Sequence, residues 1–391
     1  MFGISEDEFL FLTQPPQREL VKANLGVNAS MLALKGISSS ICSQIKALEK
    51  CKDKLPHFYK AQCIIPPTSL EQASSVHTTS IKKYSGNRIL DLTCGLGGDT
   101  SHFATTFKHI VTLERDALLS KIARYNFALL NLANIEVINQ EAEAFLDSYK
   151  GDPFDMVYCD PARRDATRRT FLLEDCSPNI ISLLDKIKAH TSTLIVKLSP
   201  LFDVEEVFRI FSDYGTTVEV ISYDGECKEV IVEISFCNHE QKITNTVISK
   251  NGDFRKYGFS HESNTHIATP PTEKRYIYIS DVTFKKCRNT QELMSVYFPK
   301  HKVLIDDNVV ITELPLNSFP GRGYEIIDIF DYKPKALKKI FKERNIKGAT
   351  IVKGNFHKPI SEVRKALALG DNAQVTLLIN ADTLYQVQAI L

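Results

Sequence analysis

The stretch ILDLTCGLGGDT, residues 89–100, decides how this chain is read. An apolar run ends in an acid, Asp91. A glycine-rich turn follows with Gly95, Gly97 and Gly98, and a polar segment begins at Asp99-Thr100. Strand, turn and helix start, in that order, build the floor on which an α/β protein holds a nucleotide-like ligand. Two ligand classes use such a floor. A dinucleotide wants G-x-G-x-x-G, and here Thr100 stands where the third glycine would fall. S-adenosylmethionine (SAM) carries a free ammonium, for which an acid near the turn is useful, and Asp91 stands four residues ahead of the first glycine. In either case glycine lets the backbone approach the ligand without a Cβ in the way.

Outward from this turn the pattern alternates. Strands are predicted at 88–92, 109–113, 135–138, 154–159 and 193–198, with helices at 99–107, 116–131, 141–148, 178–189 and 203–212. Apolar strands separated by helices imply a parallel sheet covered on both faces. TTVEVISYDGECKEVIVEISF (216–236) reads as an antiparallel pair turning at Asp224-Gly225 and closing the sheet edge. Upstream, residues 1–65 carry helical spacing. Pro66-Pro67 then stops the chain, and Thr68 with Glu71, or Ser69 with Gln72, offers a capping box for a new helix. Downstream, residues 250–273 are polar and unpatterned and read as a linker. From 276 a second α/β region runs to the end, closing strand, helix, strand, helix, strand over YEIIDIF, PKALKKIFKER, ATIVKG, SEVRKALAL and QVTLLIN, with a last strand at YQVQAIL.

Composition excludes several classes. At 391 residues the chain is too long for one core. Its 43% hydrophobic and 24% charged residues are those of an ordinary globular protein, and a net charge of +1 makes any polyanion site a local patch. Nine cysteines without a CxxC pair argue against a zinc ribbon and fit reduced thiols, hence a cytoplasmic location. The start MFGISEDEFLFL carries acids where a secretory leader needs bases. No run of about 18 apolar residues occurs, so no membrane association is expected.

Asp91-Leu-Thr93-Cys-Gly95-Leu-Gly97-Gly98 resembles motif I of class I SAM-dependent methyltransferases. The resemblance implies that Asp91, Thr93, Gly95, Gly97, Gly98 and Asp99 line the cofactor. It further implies that Glu114, at the end of the second strand, accepts the ribose hydroxyls. Glu141, after the third strand, would receive the adenine amino group, with Gln140 or Asn139 as substitutes. The fourth strand ends in Cys159-Asp160-Pro161-Ala162-Arg163-Arg164-Asp165, at the place of motif IV. There Asp160 and the Pro161 carbonyl would accept the hydrogens of an acceptor amine. Arg163 replaces the aromatic residue that stacks on a base in Asp/Asn-Pro-Pro-aromatic enzymes, and it is taken as a catalytic and substrate-binding candidate. Strand five ends Lys197-Leu-Ser-Pro without a cysteine, and Cys159 precedes the acid, so covalent pyrimidine chemistry is disfavoured. Arg163, Arg164, Arg168 and Arg169 offer guanidiniums to phosphates just past the acceptor edge, and Lys197 would face substrate.

The helical leader, SLEQASS, DLTCGLGGDT, DPARRD, LEDCSPN, VKLSPLFD and FPGRGYEI (319–326), in this order, resemble a bacterial class I SAM-dependent methyltransferase family with a C-terminal THUMP-like domain. That resemblance implies an α/β fold: a Rossmann-like seven-stranded methyltransferase sheet, an N-terminal helical domain, and a C-terminal ferredoxin-like/THUMP-like region. The boundaries expected are 1–67 for the helical domain, 68–245 for the methyltransferase domain, 246–318 for a linker and small ferredoxin-like module, and 319–391 for the THUMP-like domain. It also implies an RNA partner, tRNA in particular, and SAM as cofactor, with no metal. Between 331 and 358, eight lysines and Arg344 stand against Asp331 and Glu343, a local balance of +7. Lys338, Lys339 and Lys342 head this stripe as phosphate-contact candidates. Two other classes remain open on the residues: a dinucleotide-dependent oxidoreductase, and an RNA-binding protein that retains SAM without turnover.

Overall fold

The computed structural model describes residues 3–163, 172–261 and 270–390. The chain forms two compact units. One comprises Met1–Thr217 with Glu229–Glu240, the other Val218–Lys228 with Gln241–Leu391.

The central strands of the first unit carry short apolar runs that are buried because helices cover both faces. They are β1 (Gly86–Asp91), β2 (Phe107–Leu113), β3 (Ile135–Ile138), β4 (Met156–Cys159) and β5 (Thr193–Leu198). Ile89, Leu90, Val157, Leu194, Ile195 and Val196 are fully buried. β1 pairs in parallel with both β2 and β4, β2 with β3, and β4 with β5. Then β6 (Gly215–Tyr223) and β7 (Glu226–Ser235) form the expected hairpin, and β7 inserts antiparallel against β5. Asp224 and Gly225 at its tip both take positive φ, 51° and 75°. A two-residue turn of that shape matches the right-handed twist of the strands it joins.

The seven expected strands are present, and among the described residues the sheet extends to nine. Two more, β8 (Gln241–Ile248) and β9 (Phe254–Ser260), extend its edge in the order β9-β8-β6-β7-β5-β4-β1-β2-β3. The expected linker at 250–273 is therefore strand over 254–260. Its side chains FRKYGFS alternate, with Tyr257 and Phe259 buried between exposed polar neighbours. The helix predicted over 99–107 is shorter, Gly98–Phe103, because β2 begins at Phe107 and needs the intervening residues as a turn.

Seven helices precede β1, from Glu6–Thr13 to Val76–Thr79. Their apolar faces bury Leu32, Ile45, Leu48, Leu55 and Phe58 in one core with Ile122 and Phe127 of the helix Ala117–Leu129. The helix after Pro66 has no capping box. Pro67 occupies its first turn, Pro66 is the cap, and no side chain bonds there, since proline is preset for a first turn and needs no partner for a missing N–H.

In the second unit, β10 (Tyr276–Ser280), β11 (Val303–Asp306), β12 (Val309–Thr312), β13 (Gly321–Asp331), β14 (Gly348–Lys353), β15 (Gly370–Asn380) and β16 (Thr383–Ala389) form a sheet. Its order is β11-β12-β10-β13-β16-β15-β14. β10 pairs with β13, so residues 276–312 and 321–389 share one sheet. The helices Pro334–Glu343 and Ile360–Leu367 pack on it through Leu337, Phe341, Val363 and Leu367.

Candidate cofactor and acceptor site

The carboxyl ends of β1, β2 and β4 bring the two motifs together through hydrogen bonds. Asp91 ends β1 with only 1% of its surface exposed. Its Oδ1 accepts from Thr93 N (2.9 Å) and Thr93 Oγ1 (3.4 Å), and its Oδ2 from Thr100 Oγ1 (2.6 Å) and Thr112 Oγ1 (3.0 Å). Burial pushes its carboxyl up to about 6, against the pull of those same donors. With four donors already on two oxygens, Asp91 acts as the clamp of the turn.

Thr93 is the link to the second motif. Its Oγ1 accepts from Asp160 N at 2.7 Å. The backbone ladder adds Leu92 N to Tyr158 O, 2.9 Å, and Cys94 N to Leu113 O, 2.8 Å. The turn itself takes φ of +54° at Gly95 and +87° at Gly97, a region that costs L residues with a Cβ. The two glycines serve different ends. A Cβ at Gly97 would lie 2.6 Å from a ring carbon of Phe127, whereas one at Gly95 would meet nothing within 4 Å. Gly97 is thus needed for packing, whereas no atom of the described residues stands close to the Cβ position at Gly95. Gly98 opens the helix, with Leu55 and the backbone of Ser74 against it.

Glu114 follows β2 beside that turn. Its Oε2 accepts from Gly95 N and its Oε1 from Asp116 N, both at 2.9 Å. Burial raises its carboxyl, while these two N–H groups pull it down. A carboxylate held this way keeps a lone pair on each oxygen, which suits a pair of ribose hydroxyls. Asn139 Nδ2 donates to the carbonyls of Glu114 and Arg115 and so ties the β2 and β3 ends together. Glu141 is exposed at the cap of Ala142–Ser148 and makes no capping bond there.

Behind the turn lies a buried chain of charges that sequence reasoning did not assemble. Lys82 Nζ pairs with Asp99 Oδ1 (2.8 Å) and Glu229 Oε2 (2.9 Å). Lys197 Nζ pairs with Asp99 Oδ2 (3.2 Å) and, more closely, with Asp160 Oδ2. Ser74 Oγ donates to Asp99 Oδ2 and lies 2.5 Å from Lys197 Nζ. Lys82, Asp99, Lys197 and Glu229 are each less than a tenth exposed, but the Asp160 side chain keeps 35% of its surface. Burial disfavours the charges, yet the ion pairs outweigh it at both lysines. Asp99, facing Lys197 and Lys82, is held far below the usual carboxylate range. Burial raises the Asp160 carboxyl, and Lys197 opposes that rise. The Lys197 ammonium favours the ionised form of Asp160, which burial disfavours.

Asp99, expected at the cofactor, and Lys197, expected to face substrate, therefore have their charges engaged inside this chain. Asp99 points inward because the second residue of a helix opening at Gly98 lies against Lys82 and the Ser74 segment. Ser74, Lys82 and Glu229 carried no motif that would have marked them. Only the polar end of SLEQASS and the lysine pair at 82–83 stood out of their surroundings.

Cys94 and Cys159 are buried, and burial pushes both thiols well up. Pro161 is partly exposed. The backbone of Ala162–Arg163 pairs with Cys176–Ser177 in a short ribbon. Arg164, Arg168 and Arg169 lie outside the described residues. In the second unit, Lys338, Lys339 and Lys342 are exposed on the helix Pro334–Glu343, opposite buried Leu337 and Phe341. Lys339 reaches Glu343 at 4.0 Å, Lys333 pairs with Asp331, and Arg344 pairs with Asp328. Among the described residues no helix is long and apolar enough to cross a membrane, and no group of acids, histidines and cysteines is placed to hold a metal ion.

Comparison with known proteins accords with this geometry. Residues 83–235 match the family model of a methyltransferase domain, and residues 321–387 match a THUMP domain-like model. An uncharacterised S-adenosylmethionine-dependent methyltransferase of Mycobacterium tuberculosis is 27% identical over 190 residues, 47% of this chain and 49% of that one. The chain thus spans about half the length of the curated relatives it matches first. The 23S rRNA (uracil(1939)-C(5))-methyltransferase RlmD of Klebsiella pneumoniae is 37% identical over 82 residues, 20% of this chain and 19% of that one. The crystal structure of a candidate methyltransferase from Porphyromonas gingivalis superposes with a TM-score of 0.81 at 23% identity, covering 99% of both chains. The fold is thereby the same along the whole chain, and the methyltransferase match decides between the two ligand classes that the glycine turn left open. The chain carries a methyltransferase domain over residues 83–235 and a THUMP-like domain at the C-terminus, and the relatives it matches first are named SAM-dependent methyltransferases.

Proposed function

We propose that this protein methylates RNA, tRNA in particular, by direct in-line transfer from SAM without a cysteine nucleophile. The observation that carries the reading is the position of Asp160. It is a partly exposed carboxylate at the end of β4, bonded through Thr93 to the glycine turn that opens beside Glu114.

When bound, SAM supplies a methyl group on a sulfonium, open to displacement by an aligned nucleophile. The residues present fit it. The open side of Gly95 admits the ligand backbone, Glu114 would hold the ribose hydroxyls, and Glu141 would meet the adenine amino group. Asp91 acts on the ligand through the turn it clamps. Asp160 and the Pro161 carbonyl would accept the acceptor's hydrogens, and Asp160 would take the proton released as the new bond forms. The buried, weakly acidic Cys94 and Cys159 favour transfer without a covalent protein intermediate.

RNA as acceptor rests on the THUMP-like match, on the similarity to an rRNA methyltransferase, and on the exposed lysines of Pro334–Glu343. A basic face of this kind grips phosphates without reading sequence. The test is transfer of label from methyl-labelled SAM into RNA from cells lacking the protein. Label in the tRNA fraction, absent with Asp160→Ala, is expected. No label in any RNA from a protein that binds SAM would overturn the acceptor assignment.

A further inference from the structure

Lys197 joins the helix that follows the cofactor turn to the acceptor edge through its charge. It sits on β5 with its ammonium between Asp99, the second residue of the helix that follows the turn, and Asp160, the acid of the acceptor motif. Its own position is over-determined. Ser74 Oγ lies 2.5 Å from the ammonium and also reaches Asp99. Asp99 is in turn held by Lys82, and Lys82 by Glu229 of β7. Three carboxylates and two ammoniums thus form one buried row from β7 to the acceptor edge, and only its last member, Asp160, is open to solvent. A buried ion pair is weak support for a fold, since desolvation offsets much of the attraction. A row ending at the reacting edge is better understood as preorganisation.

We propose that Lys197 is the positioning residue of the transfer site. Anchored by Asp99 and Ser74, it grips Asp160 at Oδ2, keeps it ionised and presents Oδ1 to the acceptor's hydrogen. The proposal rests on the methyl-transfer reading of this site. It also gives the leading helical segment, which carries Ser74, a part in catalysis that no motif of the glycine turn contains.

Among the described residues, the charged and titratable groups facing this pair are Asp99 and Lys82 from one side, Glu229 from β7, and Tyr158 and Cys159 from β4. Replacing Lys197 by methionine removes the charge and keeps the length. Asp160 then stands near Asp99 without a counter-ion, and two like charges raise a carboxyl's pKa. Since the ionised form is the one that accepts hydrogen, the acid limb of the rate profile moves to higher pH.

The test has two independent arms. Carbon-13 carboxyl titration of aspartate-labelled full-length protein, with Asp160 assigned from Asp160→Asn, reads its ionisation without any RNA. Lys197→Met is expected to raise the Asp160 midpoint by about one pH unit or more, and Lys197→Arg to restore it. In the second arm, methyl transfer into RNA at neutral pH is expected to fall at least about tenfold in kcat for Lys197→Met. SAM affinity is expected to stay unchanged and KM for RNA to change little. Ser74→Ala is the milder variant, expected to move both readouts in the same direction without removing a buried charge. An unchanged Asp160 midpoint in both Lys197→Met and Ser74→Ala would overturn the proposal, as would a loss confined to KM. A shifted midpoint with no transfer into any RNA by the wild type would instead count against the RNA reading and leave the positioning role standing.

Discussion

Alanine at Gly95 and at Gly97 should separate two properties of one turn. Both glycines sit at positive φ, +54° and +87°, where an alanine costs about 1–2 kcal/mol. At Gly97 the new methyl also runs into the Phe127 ring, 2.6 Å from one of its carbons. Phe127 is 3% exposed and packed in the core that joins the leading helices to Ala117–Leu129, so the ring has little room to yield. Overpacking of this kind adds about 1–3 kcal/mol. Gly97→Ala should therefore lose roughly 2–5 kcal/mol in all, and each kcal/mol moves Tm by about 2–4 °C in a domain of this size. Gly95→Ala should lose only the backbone part, because nothing lies within 4 Å of its Cβ. Its methyl instead occupies the space assigned to SAM, and affinity should fall at least tenfold, about 1.4 kcal/mol. Thermal melts give the first quantity and titration calorimetry with SAM the second. A Gly95→Ala variant that binds SAM like the wild type would refute the placement of the ligand. Equal melting of the two variants would refute the packing role of Gly97.

Four further outcomes are expected. Glu114→Ala should weaken SAM binding by about 1–3 kcal/mol, the range for a hydrogen bond to a charged group. In the wild type, affinity should fall with acid. The hydroxyls need the ionised carboxylate, and burial raises Glu114, so binding is lost from a pH above the usual glutamate value downward; calorimetry across pH reads both. Asp160→Ala should keep SAM affinity while cutting turnover at least about tenfold, since its interaction matters in the transition state, and a collapse of SAM binding would make Asp160 a scaffold residue. Neutralising Lys338, Lys339 and Lys342 together should weaken RNA binding and flatten its salt dependence by up to about three units of slope. An unchanged slope in two-salt binding assays would mean a solvated helix face. Substitution is a fairer test than truncation here, because a cut at 319 would strip β10 of its partner β13.

The methyltransferase core was legible because its strands are short, centred on apolar runs and punctuated by glycine and proline, so their period and length agree. The glycine turn, Glu114 and Asp160 stood at strand ends, where the chain must leave the sheet and function concentrates. What escaped was what depends on distant partners. The strand Phe254–Ser260 is polar on one face and opens from a turn, so it read as linker until pairing with β8 supplied its hydrogen bonds. The buried row through Lys82, Asp99, Lys197 and Glu229 joins positions far apart in the chain. A buried lysine and a surface lysine look alike in sequence, so the burial of Lys197 between Asp99 and Asp160 was not legible there. The bond from Thr112 to Asp91 was hidden for the same reason, since Thr112 lies on the neighbouring strand β2.

The central claim is that this chain places a methyl group on RNA, and nucleoside mass spectrometry tests it most directly. Digested tRNA and rRNA from a strain lacking the protein would be compared with the same strain carrying the wild type or Asp160→Ala. One methylated nucleoside, in tRNA, is expected to vanish with the gene and to return with the wild type but not with Asp160→Ala. Identical methylated nucleosides in all three strains would contradict it.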